Sequence, residues 1–188
     1  DKGWLLMLDE VQCGIGRTGQ WFAHQWADIK PDVMPLAKGL GSGVPIGAIV
    51  VGEKAKNILG PGNHGTTFGG NPLSMRAGIE TLDIMLADDI MGNAARVGAH
   101  LKAALERELA GVQGVKEVRG LGLMLGIELD RHCGVILSRA MQAGLLLSVT
   151  ADSVIRLVPP LILSQAEADE IVSLLVPVIK TFLSEPQP

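Results

Sequence analysis

The feature that most constrains this chain is a rhythm in its first third. Short, unbroken apolar runs are each released into a glycine-rich turn. Trp4 to Leu8, Val33 to Leu36 and Ile46 to Val51 show no polar/apolar alternation, the pattern of strands buried on both faces. Glycines crowd the connections at Gly14, Gly16 and Gly19, at Gly39, Gly41 and Gly43, and at Gly65, Gly69 and Gly70. This predicts α/β architecture, mainly parallel, with functional loops at strand ends. The chain begins at Asp1 rather than Met, and its first strand has no partner before it. The expectation is a carboxy-terminal portion whose amino-terminal part is missing.

The pattern changes near residues 88 to 92, where a domain boundary is expected, with 1–90 before it and 91–188 after it. Asn71-Pro72 predicts a helix start, since Asn caps and Pro at the first helical position sacrifices no useful N–H. That helix should run to about Leu86. Val97, Leu101, Leu105 and Leu109 place one apolar stripe on a second helix. Val115 to Arg119 and Leu121 to Leu129 read as strands split by Gly120. Gly134 to Ala143 reads as a helix, and Leu145 to Val149 and Val154 to Val158 as further strands. Ser164-Gln165-Ala166-Glu167 fits a capping box opening a last helix, which Pro177 should kink or end early. Glu185 to Pro188 reads as a frayed tail. The second domain is thus a small α+β unit.

Composition narrows the functional classes. Hydrophobic residues make up 47% of the chain and charged residues 19%, enough apolar content for a packed core. The net charge is -4 and no Lys/Arg block stands out, so there is no electrostatic footprint for nucleic acid. The apolar runs fall far short of the ~20 residues that span a bilayer. Cys13 and Cys133 lie far apart and match no metal-ligand or disulfide spacing. They read as two buried or half-buried thiols in a reducing, cytoplasmic compartment. The chain has no tyrosine, which excludes tyrosine chemistry within it.

Four sequence features could carry chemistry. Asp9-Glu10-Val11-Gln12 follows the first strand directly, where ligands of doubly wound folds bind; an acid there can hold a cation or a protonated ring nitrogen, or be a solvated loop acid. Lys38, in Leu36-Ala37-Lys38-Gly39-Leu40-Gly41, follows the next strand. Small and apolar neighbours would desolvate it and free its amine as a nucleophile; alone it reads equally as a surface lysine. His64-Gly65-Thr66-Thr67-Phe68-Gly69-Gly70-Asn71-Pro72 is a glycine-rich loop opening a helix, able to offer N–H groups and hydroxyls to a phosphate, though not in the Walker pattern. Arg156 alternates with apolar strand residues and so points away from them, where a carboxylate is its natural partner. An ordinary structural salt bridge would read the same way. Together these are the groups that pyridoxal-phosphate chemistry uses: an amine to carry the cofactor and move a proton, an acid for the ring nitrogen, a phosphate loop and a carboxylate-binding arginine.

In order and spacing, Leu8 to Gly19, Pro31-Asp32-Val33, Ala37 to Gly41, His64 to Leu73 and Ile155 to Leu161 resemble the class III (ornithine-type) aminotransferases over nearly the whole chain. Trp21 to Gln25 and His64 to Phe68 are most similar to the bacterial subgroup acting on acetylornithine in arginine biosynthesis. The resemblance implies a fold type I large domain and a small carboxy-terminal domain. It implies pyridoxal 5'-phosphate as cofactor, and N-acetyl-L-ornithine and 2-oxoglutarate as amino donor and acceptor. Succinylornithine, succinyl-diaminopimelate, ornithine and 4-aminobutyrate stay open as donors, as does an inactive fragment that only folds or associates. A homodimer with the active site at the subunit interface is also implied.

Residue by residue, the resemblance makes Lys38 the cofactor-bearing lysine and Asp9 the partner of the pyridine nitrogen. Val11 would pack on the ring and Gln12 would bond near the ring hydroxyl. Glu10 belongs to the same cofactor-binding run without an assigned chemistry. Thr67 would bind the phosphate, usually of the neighbouring subunit's cofactor. Thr66 would lie beside the substrate, and Arg156 would hold its carboxylate. No metal is implied. His24 and His64 read as structural, Arg17 as a brace for its loop, and Trp21 and Trp26 as core or interface. The family's earlier segment, with a second phosphate turn, an aromatic over the cofactor and a further arginine, has no counterpart in this chain.

Overall fold

The structure, a computed structural model, describes residues 2–186. The chain divides into two compact units, residues 1–91 and 92–188.

In the first unit, β1 (Val33–Leu36) pairs antiparallel with β2 (Ala48–Val51), in register from Val33 opposite Val51 to Leu36 opposite Ala48. The extended segment before them runs parallel to β1: Leu8 N donates to Val33 O at 3.0 Å and Val33 N to Leu6 O at 3.2 Å. Its regular pairing is limited to a Met7–Val33 bridge. The mainly parallel sheet expected from the sequence is therefore absent among the described residues. β1 and β2 are joined by residues 37–47, a short return that permits an antiparallel pair but not a parallel crossover. Burial on both faces is also absent: Trp4 is 80% exposed, Met7 64% and Ile49 62%.

Helix α1 (Pro72–Ala87) starts where the sequence places it and ends one residue beyond Leu86. Asn71 caps it, Oδ1 accepting from Ser74 N at 3.0 Å. Ser74 is buried, and its hydroxyl donates to Pro45 O at 3.0 Å. This fixes the helix start to the loop between β1 and β2.

Helix α2 (Ile90–Leu109) leads into the second unit, which contains β3 (Val115–Leu121), β4 (Met124–Leu129), α3 (Val135–Gln142), β5 (Ser148–Thr150), β6 (Val154–Leu157) and α4 (Gln165–Ser184). The sheet order is β3-β4-β6-β5, antiparallel throughout. Alternate residues are buried along β4 and β6, as expected for a sheet with one face packed and one open. Leu125, Ile127, Leu129 and Ile155 from the sheet join Leu101 and Leu105 of α2 and Leu175 and Ile179 of α4 in one core.

Three expectations for this unit are corrected. Gly120 does not split two strands; β3 continues through it and the chain reverses at Gly122. A Cβ on Gly120 would lie 2.1 Å from Met124 O, so glycine is required by close backbone approach rather than by a break. Of the two outcomes expected at Pro177, a kink or an early end, the early end does not occur, and α4 runs on to Ser184. The proline costs about 3 kcal/mol in a helix interior, but Val172, Leu175, Val176 and Ile179 are buried on both sides of it and that burial outweighs the loss. Glu185 is not frayed: Arg139 Nη1 and Nη2 donate to its two oxygens at 2.8 and 2.9 Å. The tail residues Gln187 and Pro188 lie outside the described residues, as does Asp1.

Candidate active site

The chain leaves the Leu6–Leu8 segment into a fastened loop. Asp9 is exposed, and its Oδ1 accepts from Val11 N at 2.9 Å, an Asx turn that orients the carboxylate. Gly14 N donates to Glu10 O at 2.9 Å, and a Cβ on Gly14 would stand 2.7 Å from that oxygen. Val11 and Gln12, between them, are half-buried.

Glu10 is placed differently from its neighbours. It is 2% exposed. Its Oε2 accepts from Ala23 N at 2.9 Å and its Oε1 from His24 N at 2.8 Å, the amides that open the 3-10 turn Ala23–Ala27. The Cys13 thiol also donates to Oε2 at 3.1 Å. Both carboxylate oxygens of Glu10 accept from the chain's own donors, so the side chain fastens the loop. Burial, then the hydrogen bond and charge of Glu10, push the Cys13 thiol up to about 11, which keeps it protonated and poorly nucleophilic. His24 has a structural role, its ring 5.7 Å from Phe22 in a stack and its Nδ1 2.8 Å from Ile29 O.

Lys38 opens the 3-10 turn Lys38–Gly41 with φ 44, in the left-handed region that costs a non-glycine residue about 1–2 kcal/mol. The surroundings hold it there. Gly39 presses on the buried Ile15 of the first loop, a Cβ position on it lying 3.5 Å from Ile15 Cβ. Gly78 of α1 backs the same turn, its Cβ position 3.7 Å from Leu40 O and 3.2 Å from Ile46 Cδ1. The loop of Asp9 and the turn of Lys38 are thus packed together, with α1 behind the turn. The expected desolvation of Lys38 is not present. Leu36 and Leu40 take the buried positions on either side, and Lys38 itself is exposed. Among the described residues its ammonium has neither a hydrogen-bond nor an ion-pair partner.

Thr66 and Thr67 are exposed on the loop that feeds α1. A Cβ on Gly69 would lie 2.0 Å from Thr66 Cγ2, so any larger residue there would have to displace the Thr66 side chain. Asn71 Nδ2 donates to Phe68 O at 2.8 Å, tying the loop to the cap of the helix that supports Lys38.

Arg156 belongs to the second unit. It lies on β6 between the buried Ile155 and Leu157, on the opposite face of the sheet from them. It is half-buried and lines a cavity of about 530 Å³ with otherwise largely apolar walls, including Leu145, Leu147 and Pro159. Its Nε donates to Ser148 Oγ at 3.0 Å.

Sequence reasoning missed the supporting groups. Ser74 and Ser148 carry no motif signal, and only the position of each beside a candidate residue, in helix turn or strand register, could have pointed to it. Among the described residues no cluster of three or more His, Cys, Asp or Glu side chains is arranged to hold a metal, and no helix is long and apolar enough to cross a membrane.

Comparison with known proteins agrees with this arrangement. The family model described as aminotransferase class-III matches residues 1–179. Acetylornithine aminotransferase 1 of Bordetella pertussis is 63% identical over 187 residues, which are 100% of this chain and 48% of that protein. The acetylornithine aminotransferase of Nitrosomonas europaea is 49% identical over 97% of this chain and 46% of its own length. Among solved structures, an ornithine delta-aminotransferase of Plasmodium falciparum superposes with a TM-score of 0.90 at 35% identity, covering 97% of this chain and 47% of that one. The acetylornithine aminotransferase of Elizabethkingia anophelis gives a TM-score of 0.86 at 30% identity, covering 95% and 46%. The chain spans about half the length of the relatives it matches. On the extent of the match and the identity it carries, the chain belongs to the class III aminotransferases.

Proposed function

We propose that the polypeptide containing this chain is a pyridoxal-phosphate-dependent aminotransferase. It transfers the amino group of N-acetyl-L-ornithine to 2-oxoglutarate, giving N-acetylglutamate semialdehyde and glutamate. Residues 1–90 form the carboxy-terminal part of a fold type I cofactor-binding domain, and 91–188 form the small domain. The observation that carries the reading is Lys38, held in a left-handed turn packed on the Asp9 loop, with no partner for its amine among the described residues. A strained, accessible lysine on a turn packed against the loop of an oriented carboxylate points to a functional site. The names of the relatives support the choice of donor.

The residues present fit the cofactor by the chemistry of their donors. An exposed amine, an oriented carboxylate and a two-hydroxyl loop suit its aldehyde, ring nitrogen and phosphate respectively. When bound, pyridoxal phosphate supplies an electron sink for the carbanion formed at the donor's reacting carbon. Lys38 Nζ would carry the cofactor and would take up the proton lost from that carbon. Asp9 would hold the proton of the ring nitrogen, Val11 would pack on the ring and Gln12 would bond near its hydroxyl. Thr67 holds phosphate, that of the neighbouring copy in a homodimer. Thr66 borders the substrate, and Arg156 binds the carboxylate of 2-oxoglutarate or glutamate.

The test is a borohydride trap on the full-length polypeptide. Incubation with pyridoxal phosphate, reduction and peptide mapping should give one stoichiometric adduct, on Lys38, that Lys38→Ala abolishes. Scattered labelling would overturn the assignment. Ornithine is the second donor to test, because the chain's fold matches ornithine aminotransferases at a TM-score of 0.90. N-acetylornithine should be the faster donor, with parallel double-reciprocal plots against 2-oxoglutarate, the pattern of a two-stage exchange.

A further inference from the structure

Arg156 has a neighbour that no sequence motif singled out. The register of the sheet sets it opposite Ser148 on β5 and opposite Gly126 on β4. Gly126 itself presents no side chain to it. On the other side Arg156 Nε donates to Ser148 Oγ at 3.0 Å. Both residues line the same cavity of about 530 Å³, among Leu145, Leu147, Val158 and Pro159.

A guanidinium grips a carboxylate through two parallel N–H bonds, which requires its plane to be set in advance. Arginine's long stem does not set it. A hydrogen bond at Nε does, because Nε is the nitrogen nearest the stem and its single N–H lies in the guanidinium plane. The largely apolar walls offer the guanidinium few polar groups besides Ser148 within the cavity.

We infer that Ser148 is a positioning residue that orients Arg156 for the substrate carboxylate. The inference rests on the reading of Arg156 as the carboxylate-binding residue. Ser148 does not touch the reacting atoms. Its effect falls on carboxylate affinity and leaves the proton transfer at Lys38 unchanged.

The experiment uses the full-length polypeptide and two readouts: steady-state kinetics with 2-oxoglutarate, and calorimetric binding of glutarate, a dicarboxylate that cannot turn over. Ser148→Ala should raise KM for 2-oxoglutarate and Kd for glutarate together, by about 3–10-fold, the loss of one hydrogen bond to a charged group, with kcat within about twofold of the parent. Ser148→Thr, which keeps the hydroxyl, should restore both. In an Arg156→Ala background, Ser148→Ala should add nothing, since its effect passes through Arg156. Unchanged KM and Kd in Ser148→Ala would overturn the inference, as would an equal loss in the Arg156→Ala background or a Thr variant that fails to rescue. If Arg156→Ala weakens glutarate strongly and Ser148→Ala does not, only the role of Ser148 falls. If Arg156→Ala is itself silent, the carboxylate reading falls and this inference with it.

Discussion

The two units hold themselves together by different means. The second encloses its own apolar core: Leu101, Leu105, Leu125, Ile127, Leu129, Ile155, Leu175 and Ile179 are all almost inaccessible. The first unit leaves large side chains open on its strands, with Ile49, Val50 and Val51 of β2 and Trp4 to Met7 exposed. It secures its loops with hydrogen bonds instead: Glu10 to two amides and a thiol, Asp32 to Leu6, and Ser74 to Pro45. The unit with the self-sufficient core contributes one candidate site residue, Arg156. The unit without one contributes the rest. A loop held by directional bonds can fix the aim of Asp9 and Lys38 in a way that nondirectional packing does not.

The contrast is broken most easily in the core. Ile127→Ala should destabilise the second unit by about 2–5 kcal/mol, the cost of emptying a closed site. Ile49→Ala, made in this 188-residue chain, should change the first unit by less than about 0.5 kcal/mol, because Ile49 is 62% exposed there. Urea unfolding read by two probes checks this. Trp4, Trp21 and Trp26 are the only tryptophans and all lie in the first unit, so fluorescence follows that unit, while far-UV circular dichroism is weighted to the helices of the second. A fluorescence midpoint that moved more for Ile127→Ala than the dichroism midpoint would show that the units do not have separate means of support.

The next largest effect belongs to Glu10. Glu10→Gln keeps the shape but presents an NH2 to one of the amides that now donates to a carboxylate oxygen. The loss should be about 1.5–3 kcal/mol, as for hydrogen bonds to a charged group. A second readout separates this from simple loosening. With the charge gone, the Cys13 thiol should titrate lower than its present value of about 11. It should remain above the ordinary 9.0, because burial is the largest cause of the shift. The pH dependence of iodoacetamide alkylation of Cys13 measures it; an unmoved midpoint would remove Glu10 from the account.

A smaller effect sharpens where strain is stored. Lys38 sits at φ 44, so Lys38→Gly should be more stable than Lys38→Ala by about 1 kcal/mol, the left-handed penalty that alanine retains. Both variants lose the amine, so the difference isolates the backbone. Equal stability would mean that the turn relaxes once the lysine is gone.

Legibility in the sequence followed the same division. Elements of the second unit could be read from local pattern. The stripe Val97, Leu101, Leu105, Leu109 is buried as its spacing implies, and Ser164 with Glu167 forms the capping box. The site motifs were legible as a set, because Lys38, the Asp9 run and the Thr66-Thr67 loop each pair a chemistry-bearing residue with glycines. What could not be read depends on close approach between distant residues. Gly98 looks like a weak point in a helix, yet a Cβ there would lie 2.1 Å from Gly122 O. Glu10 stands in the Asp9 run without an assigned chemistry, yet its bonds run to residues 23 and 24. The apolar run Trp4 to Leu8 signals the need for cover without saying what supplies it, and nothing in the described unit does.

The smallest effect is electrostatic. The Asp32 carboxylate accepts from Leu6 N at 2.9 Å and faces Lys54 Nζ at 3.5 Å. The amide bond first, and the ammonium after it, hold the group below the ordinary carboxylate value of 3.8. A carboxylate depressed in the folded state stabilises that state above its unfolded value, and the contribution is lost as pH falls through the folded one. The tie between the Leu6–Leu8 segment and β1 should therefore weaken only below pH 3.8. In the second unit the same acid range weakens Glu128–Arg119 and Glu185–Arg139, surface pairs lying over a core that does not titrate. Acid should thus disturb Trp4, beside the tie, before it disturbs the dichroism of the second unit. Asp32→Asn can still accept from Leu6 N but carries no titrating charge. Its Trp4 fluorescence should be flat through the window where the parent's changes, once the other tryptophans are replaced by phenylalanine. A parent-like midpoint in Asp32→Asn would mean that another group carries the acid sensitivity of the first unit.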